Sequence, residues 1–209
     1  MGEVKILVAH LELLCQYSSR CRAVLQHEEP QSRVLELPGP LSTVEVLLGW
    51  LYTDEISTAR GSVELAQLYI LADQLEIPAL REDAFDRTVR ELLRHEDLMV
   101  FPNPETLALV SAKLPESSSL RRWYLWLTVN HWDTSCDSAE SKQYFASLPS
   151  EFSSTVLRMQ AELHESPPKR CVCCHDLCFF HEHPSEEECL ASDCYFCVLM
   201  LGGGSIVPG

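Results

Sequence analysis

Seven of the chain's ten cysteines crowd between Cys171 and Cys197, and this clustering constrains the architecture more than any other feature. A secreted disulfide scaffold spreads its cysteines through a small fold. Here the other three, Cys15, Cys21 and Cys136, are scattered over the rest of the chain. The start, Met1-Gly2-Glu3-Val4-Lys5-Ile6-Leu7, lacks the basic opening and unbroken apolar run of a secretory signal. An intracellular, reduced protein with a local Cys/His-rich site is expected, in cytoplasm or nucleus.

That site has a definite spacing. Two Cys-x-x-Cys pairs, Cys171/Cys174 and Cys194/Cys197, are separated by 19 residues, within the ~15–20 typical of a four-cysteine zinc site. Between them lie Cys178, His181, His183 and Cys189, the thiolates and imidazoles that tetrahedral Zn²⁺ prefers. Residues 171–209 contain no Lys or Arg, so no cation of the segment competes for the thiolates. Catalytic zinc is disfavoured. In this tail no His is followed two residues later by Glu, and Asp193 rather than Pro precedes Cys194. His181-Glu182-His183 has the wrong spacing for a metalloprotease helix. A zinc-dependent hydrolase is therefore the weakest functional reading, and no enzymatic activity is expected.

Charge and hydropathy exclude two partner classes. The net charge is −15, which makes nucleic acid a poor partner. The apolar runs are far shorter than the ~20 residues needed to span a bilayer.

Residues 1–168 read as a short strand, a helix, a second short strand and then a run of helices. Val4, Ile6 and Val8 alternate as a half-buried strand does, and Val34-Leu35-Glu36-Leu37 is a second strand stopped by Pro38-Gly39-Pro40. A helix is expected from about Ala9 to Leu25. Ser42, with Glu45, predicts a capping box for a helix burying Val44, Leu47, Leu48, Leu51 and Tyr52. Ser62 caps a helix with the stripe Leu65, Leu68, Tyr69, Ala72 and Leu75. Pro78 opens another, with Phe85, Val89, Leu92 and Leu93 inward. Further helices follow from Pro104, from Ser119 to Trp132, and from Ser150. The last has Phe152, Val156, Met159 and Leu163 on one face. Cys15 and Cys21 read as small core residues, and His10 as a structural hydrogen-bonding residue.

Three segments carry a family resemblance. Val8-Ala9-His10-Leu11-Glu12-Leu13-Leu14-Cys15 with Ser18, Leu48-Gly49-Trp50-Leu51-Tyr52-Thr53, and Leu65 to Leu75 with its Leu-Tyr-Ile-Leu-Ala-Asp core resemble the BTB/POZ domain of the type common in filamentous fungi. Ser118 to Arg122 and Leu148 to Phe152 look like the helical extension of that group. Cys178-Phe179-Phe180-His181-Glu182-His183 with Cys189 is similar to a Cys/His segment ending some of its members. The resemblance implies an α+β fold, a BTB/POZ-like helical cluster with a small sheet over residues 4–94. A helical extension over 95–168, a zinc-binding tail over 169–200 and a flexible end over 201–209 would follow. Cys21 stands where the family has an aromatic residue, and the family's first strand, with its Asp-Val pair, is not matched. A family-type homodimer is accordingly expected to be weak or absent.

The function so implied is a non-enzymatic protein–protein interaction module, a scaffold or adaptor. Its partners would be another BTB protein or, for a substrate adaptor of a ubiquitin ligase, a cullin scaffold. The inner set Cys178, His181, His183 and Cys189 is the favoured zinc site, joining the resemblance to mixed N/S ligation. Cys171, Cys174, Cys194 and Cys197 would form an outer site if the tail folds back. The zinc would be structural, clamping the tail against the helical extension.

Overall fold

The computed structural model describes residues 9–25, 35, 37–56, 61–93, 102–131, 139–165 and 180. Among them are nine helices and no strand: α1 (Leu11–Tyr17), α2 (Ser19–Leu25), α3 (Leu41–Thr53), α4 (Ser62–Gln74), α5 (Pro78–Leu93), α6 (Pro104–Lys113), α7 (Ser119–His131), α8 (Ala139–Ala146) and α9 (Ser150–Glu165). The expected α+β class is thereby corrected to a mostly helical fold. Leu35 and Leu37, from the second expected strand, lie in irregular backbone. The physical reason is local. The run is only four residues long, meets Pro38-Gly39-Pro40 at once, and pairs with no strand among the described residues. Gly39 there has φ +114°, a conformation that only glycine adopts without strain. The strand expected at Val4–Val8 lies outside the described residues.

The chain divides into two compact units, Met1–Lys113 and Leu114–Gly209. In the first, α4 is central and packs on α3, α5 and α6, most extensively on α5. Its residues Leu65, Ala66, Leu68, Tyr69, Ile70, Leu71 and Ala72 are all buried. A helix buried on nearly every side must be apolar on nearly every side. Its C-terminus closes in a Schellman pattern, with Ile77 N–H bonded to the Ala72 carbonyl (2.9 Å) and Glu76 N–H to that of Asp73 (3.1 Å). Glu76 takes φ 54° at the position where glycine is usual. Leu47, Leu51, Leu68, Tyr69, Ala72 and Leu75, expected in the core, are buried.

Two local expectations change. The helix expected from Ala9 to Leu25 breaks at Ser18, whose extended backbone (φ −110°, ψ 114°) separates α1 from α2. The Ser42 capping box does not form. Pro40 takes the cap position, its ring-fixed φ of −66° already suited to a helix entry. Its carbonyl accepts from the Thr43 and Val44 N–H groups at 3.0 and 3.3 Å. Gly61 likewise precedes α4, and the Ser62 hydroxyl instead faces Thr106 Oγ1 of α6 at 3.4 Å.

In the second unit α7 packs on α9. Leu114, Leu120, Trp123, Tyr124, Leu127, Val129, Leu148, Phe152, Val156 and Phe180 are buried there. Gln160 Nε2 donates to the Val129 carbonyl at 3.2 Å. Desolvation pushes the fully buried Tyr124 phenol above its ordinary pKa, so it stays neutral.

Candidate functional site

The α3 helix carries two apolar stripes. The one that faces the core is Thr43, Val46, Leu47, Trp50 and Leu51. It has the spacing i, i+3, i+4, i+7 and i+8, offset by one residue from the stripe that sequence periodicity predicts. Leu47 and Leu51 belong to both. The phase is decided by Trp50, the largest side chain of the helix, which is almost fully buried. Its indole packs edge-on to Tyr17 of α1, centroids 5.1 Å apart, and donates to Asp83 Oδ2 of α5 at 2.7 Å.

The other stripe is left over. Val44 and Leu48 are half-buried, Leu41 is 38% exposed and Tyr52 is 53% exposed. Tyr52 is held in place. Its hydroxyl accepts from the His10 backbone N–H at 3.1 Å and lies 3.0 Å from His10 Nδ1. The two rings meet edge-on, centroids 5.7 Å apart. His10 thus has the structural role expected of it. It also joins α3 to α1, a helix of sequence Leu-Glu-Leu-Leu-Cys-Gln-Tyr that buries none of its residues fully. Every charged residue of α1, α3 and the turn after α3 is acidic: Glu12, Glu45, Asp54 and Glu55. Periodicity alone misses this surface, because an all-round apolar helix does not announce its phase. The size of Trp50 is the signal that finds it.

On the core-facing side, where Trp50 donates to it, Asp83 has a pKa raised from 3.8, chiefly by desolvation. Asp54 and Asp86 push it further up, while the Trp50 hydrogen bond and Arg90 oppose them. Cys15 and Cys21 are free thiols. Cys21 is buried, as expected, and desolvation raises its pKa, so its thiolate is scarce. Cys15 is only half-buried.

The eight predicted zinc ligands, Cys171, Cys174, Cys178, His181, His183, Cys189, Cys194 and Cys197, lie outside the described residues. Among the described residues no group of three or more metal-binding side chains forms. The tail does contribute Phe180, which is fully buried, with the Arg122 guanidinium carbon 6.0 Å from its ring centroid. No helix among the described residues is long and apolar enough to cross a membrane.

No protein-family model matches the chain, and neither curated proteins nor solved structures give a match to it.

Proposed function

We propose that this chain is a non-enzymatic protein–protein interaction module, docking its partner on the leftover stripe of α3 with α1 beside it. The observation that carries the reading is the exposed, pre-positioned Tyr52 at the end of Leu41, Val44 and Leu48. Tyrosine suits interfaces because a large ring adds contact area at little entropic cost. The hydrogen bonds from His10 lower that cost further by fixing the ring in advance. An occupant with a complementary surface is an amphipathic helix whose apolar stripe is flanked by Lys and Arg, matching Glu45 of α3 and Asp54 and Glu55 after it. Arg22, which donates to the Cys15 and Gln16 carbonyls, marks the far end of α1. A second copy of this chain would instead set Glu45, Asp54 and Glu55 against their like.

The resemblance of α1, α3 and α4 to BTB/POZ segments supports two partner classes, another BTB/POZ-type protein or a cullin scaffold, for which the chain would act as an adaptor. The free thiols Cys15 and Cys21 support an intracellular, reducing compartment.

The test uses the full chain with Tyr52→Lys or Leu48→Glu, probed with a purified cullin amino-terminal domain and with a purified BTB domain. One of these probes should bind the wild type, more weakly as salt rises, and lose at least roughly tenfold in affinity to the variants. Equal affinity for wild type and both variants, or binding of neither probe, overturns the reading.

A further inference from the structure

In α3 the residues Glu45, Leu48, Gly49 and Tyr52 stand at i, i+3, i+4 and i+7. Four residues at that spacing frame the hole into which a neighbouring helix inserts one side chain. They belong to the outward face: Glu45, Gly49 and Tyr52 are exposed and Leu48 is half-buried. Gly49 takes away one corner of the frame. Nothing lies within 4 Å of a Cβ placed on it, so the hole is open down to the backbone of the helix itself.

The Tyr52 corner is fixed. Its hydroxyl is bonded to the His10 backbone N–H at 3.1 Å and lies 3.0 Å from His10 Nδ1, so the ring cannot swing across the hole without giving up those contacts. Glycine is the poorest helix former after proline. Here the last turn is held by other groups: the Thr53 hydroxyl donates to the Gly49 carbonyl at 3.0 Å, and the Asp54 N–H to the Trp50 carbonyl at 2.8 Å. Alanine at position 49 would make a better helix and touch nothing in this chain. The chain's own packing therefore gives no reason for a glycine there, whereas a partner helix crossing α3 does.

Resting on the reading of α3 as the docking face, we propose that Gly49 is its specificity-determining residue: it opens a notch, walled by Glu45, Leu48 and Tyr52, that receives one large apolar side chain from the partner's helix. The distance between packed helices is set by the side chains at their crossing, so a residue without a Cβ lets the inserted side chain sit deeper. The occupant is an amphipathic helix with Phe or Leu as the inserted residue. Lys or Arg one turn to either side of it answers Glu45 at one end and Asp54 and Glu55 at the other.

Two synthetic helical peptides of about 20 residues, long enough to hold a helix, test this on the full chain. They share a Leu stripe flanked by Lys and differ only at the centre of the stripe, which is Phe in one and Ala in the other. Titration calorimetry gives the affinities, and the melting temperature of each protein variant is measured alongside. Wild type should bind the Phe peptide at least roughly tenfold more tightly than the Ala peptide. Gly49→Ala should erase that preference by weakening the Phe peptide alone, because one added methyl overpacks an occupied hole. The same variant should melt no lower than wild type, which separates a filled notch from a damaged fold. Leu48→Glu should lose both peptides. A Phe preference that survives Gly49→Ala, or a wild type that binds both peptides equally, overturns the notch while the docking face stands. A wild type that binds neither peptide, or a Leu48→Glu variant that binds both as wild type does, overturns the docking face and the notch with it.

Discussion

The Ser18 hydroxyl donates to the Leu75 carbonyl at 2.5 Å while accepting from the Cys21 N–H at 2.9 Å. One oxygen therefore serves two helix ends. It caps the N-terminus of α2, and it satisfies a carbonyl at the C-terminus of α4 that has no partner within its own helix. Its neighbours extend the seam. Arg20 Nη1 donates to the Gln74 carbonyl at 2.9 Å, and the Ser19 hydroxyl donates to the Glu76 carboxylate. The break between α1 and α2 is what allows this, since a continuous helix would turn the Ser18 hydroxyl back on its own backbone. Ser18→Ala should cost about 1–3 kcal/mol, the combined effect of a lost cap and a buried carbonyl left without its donor. Chemical denaturation with an unchanged m-value measures it, and a midpoint equal to wild type would contradict the assignment.

Gly49 sits inside α3, exposed, with nothing within 4 Å of a Cβ placed on it. Glycine there loses backbone entropy on folding and packs nothing in return. Gly49→Ala should stabilise the protein by roughly 0.5–1 kcal/mol. The gain is read as a rise in melting temperature, and a loss would mean that the position is more crowded than its surroundings show.

The sequence was legible in α4 because the choice of phase hardly matters there: the expected stripe from Leu65 to Leu75 is buried, and so are Ala66, Ile70 and Leu71 beside it. In α3 apolar residues surround the helix, and two stripes one residue apart fit the same period. Only the bulk of Trp50 separates them, and Tyr52 moves from the expected core to the surface. The sheet was misjudged for a different reason. The apolar run Val34-Leu35-Glu36-Leu37 suits a short strand, but Pro38-Gly39-Pro40 ends it at once, and Leu35 and Leu37 pair with no strand among the described residues. In the tail, spacing reveals residue types able to hold zinc. It does not reveal that Phe180, between Cys178 and His181, is a core residue, because a lone aromatic carries no period.

Leu68 tests the centre of the first unit. It is 1% exposed on the helix that α3, α5 and α6 all contact. Leu68→Asp replaces packed methyl groups with a carboxylate that has no partner in an apolar site. Losses there exceed roughly 4 kcal/mol, a large part of the stability of an ordinary domain. The first unit should lose its protected amides in hydrogen exchange. A soluble variant that melts with the wild type would show that α4 is not the core helix.

Asp83 makes stability depend on pH in a direction opposite to the usual carboxylate. Asp83 is exposed as a residue, but its carboxyl lies against α3, and that partial desolvation raises its pKa above 3.8, with Asp54 and Asp86 adding to the shift and the Trp50 hydrogen bond and Arg90 opposing it. A carboxyl with a raised folded-state pKa stabilises the fold below the unfolded value, and that contribution is lost as pH rises through the folded value. At neutral pH the charged form is therefore tolerated at a cost. Asp83→Asn removes the charge and keeps an oxygen to accept from the Trp50 indole, 2.7 Å away in the wild type. The variant should melt higher than wild type at pH 7, and the difference should shrink steadily as pH falls towards the ordinary carboxylate range. Other acidic groups titrate in both proteins, so the difference between the two melting curves, not either alone, isolates Asp83. Parallel curves from pH 7 down to acid would show that the carboxylate stays well solvated and that Trp50 donates to it at no electrostatic cost.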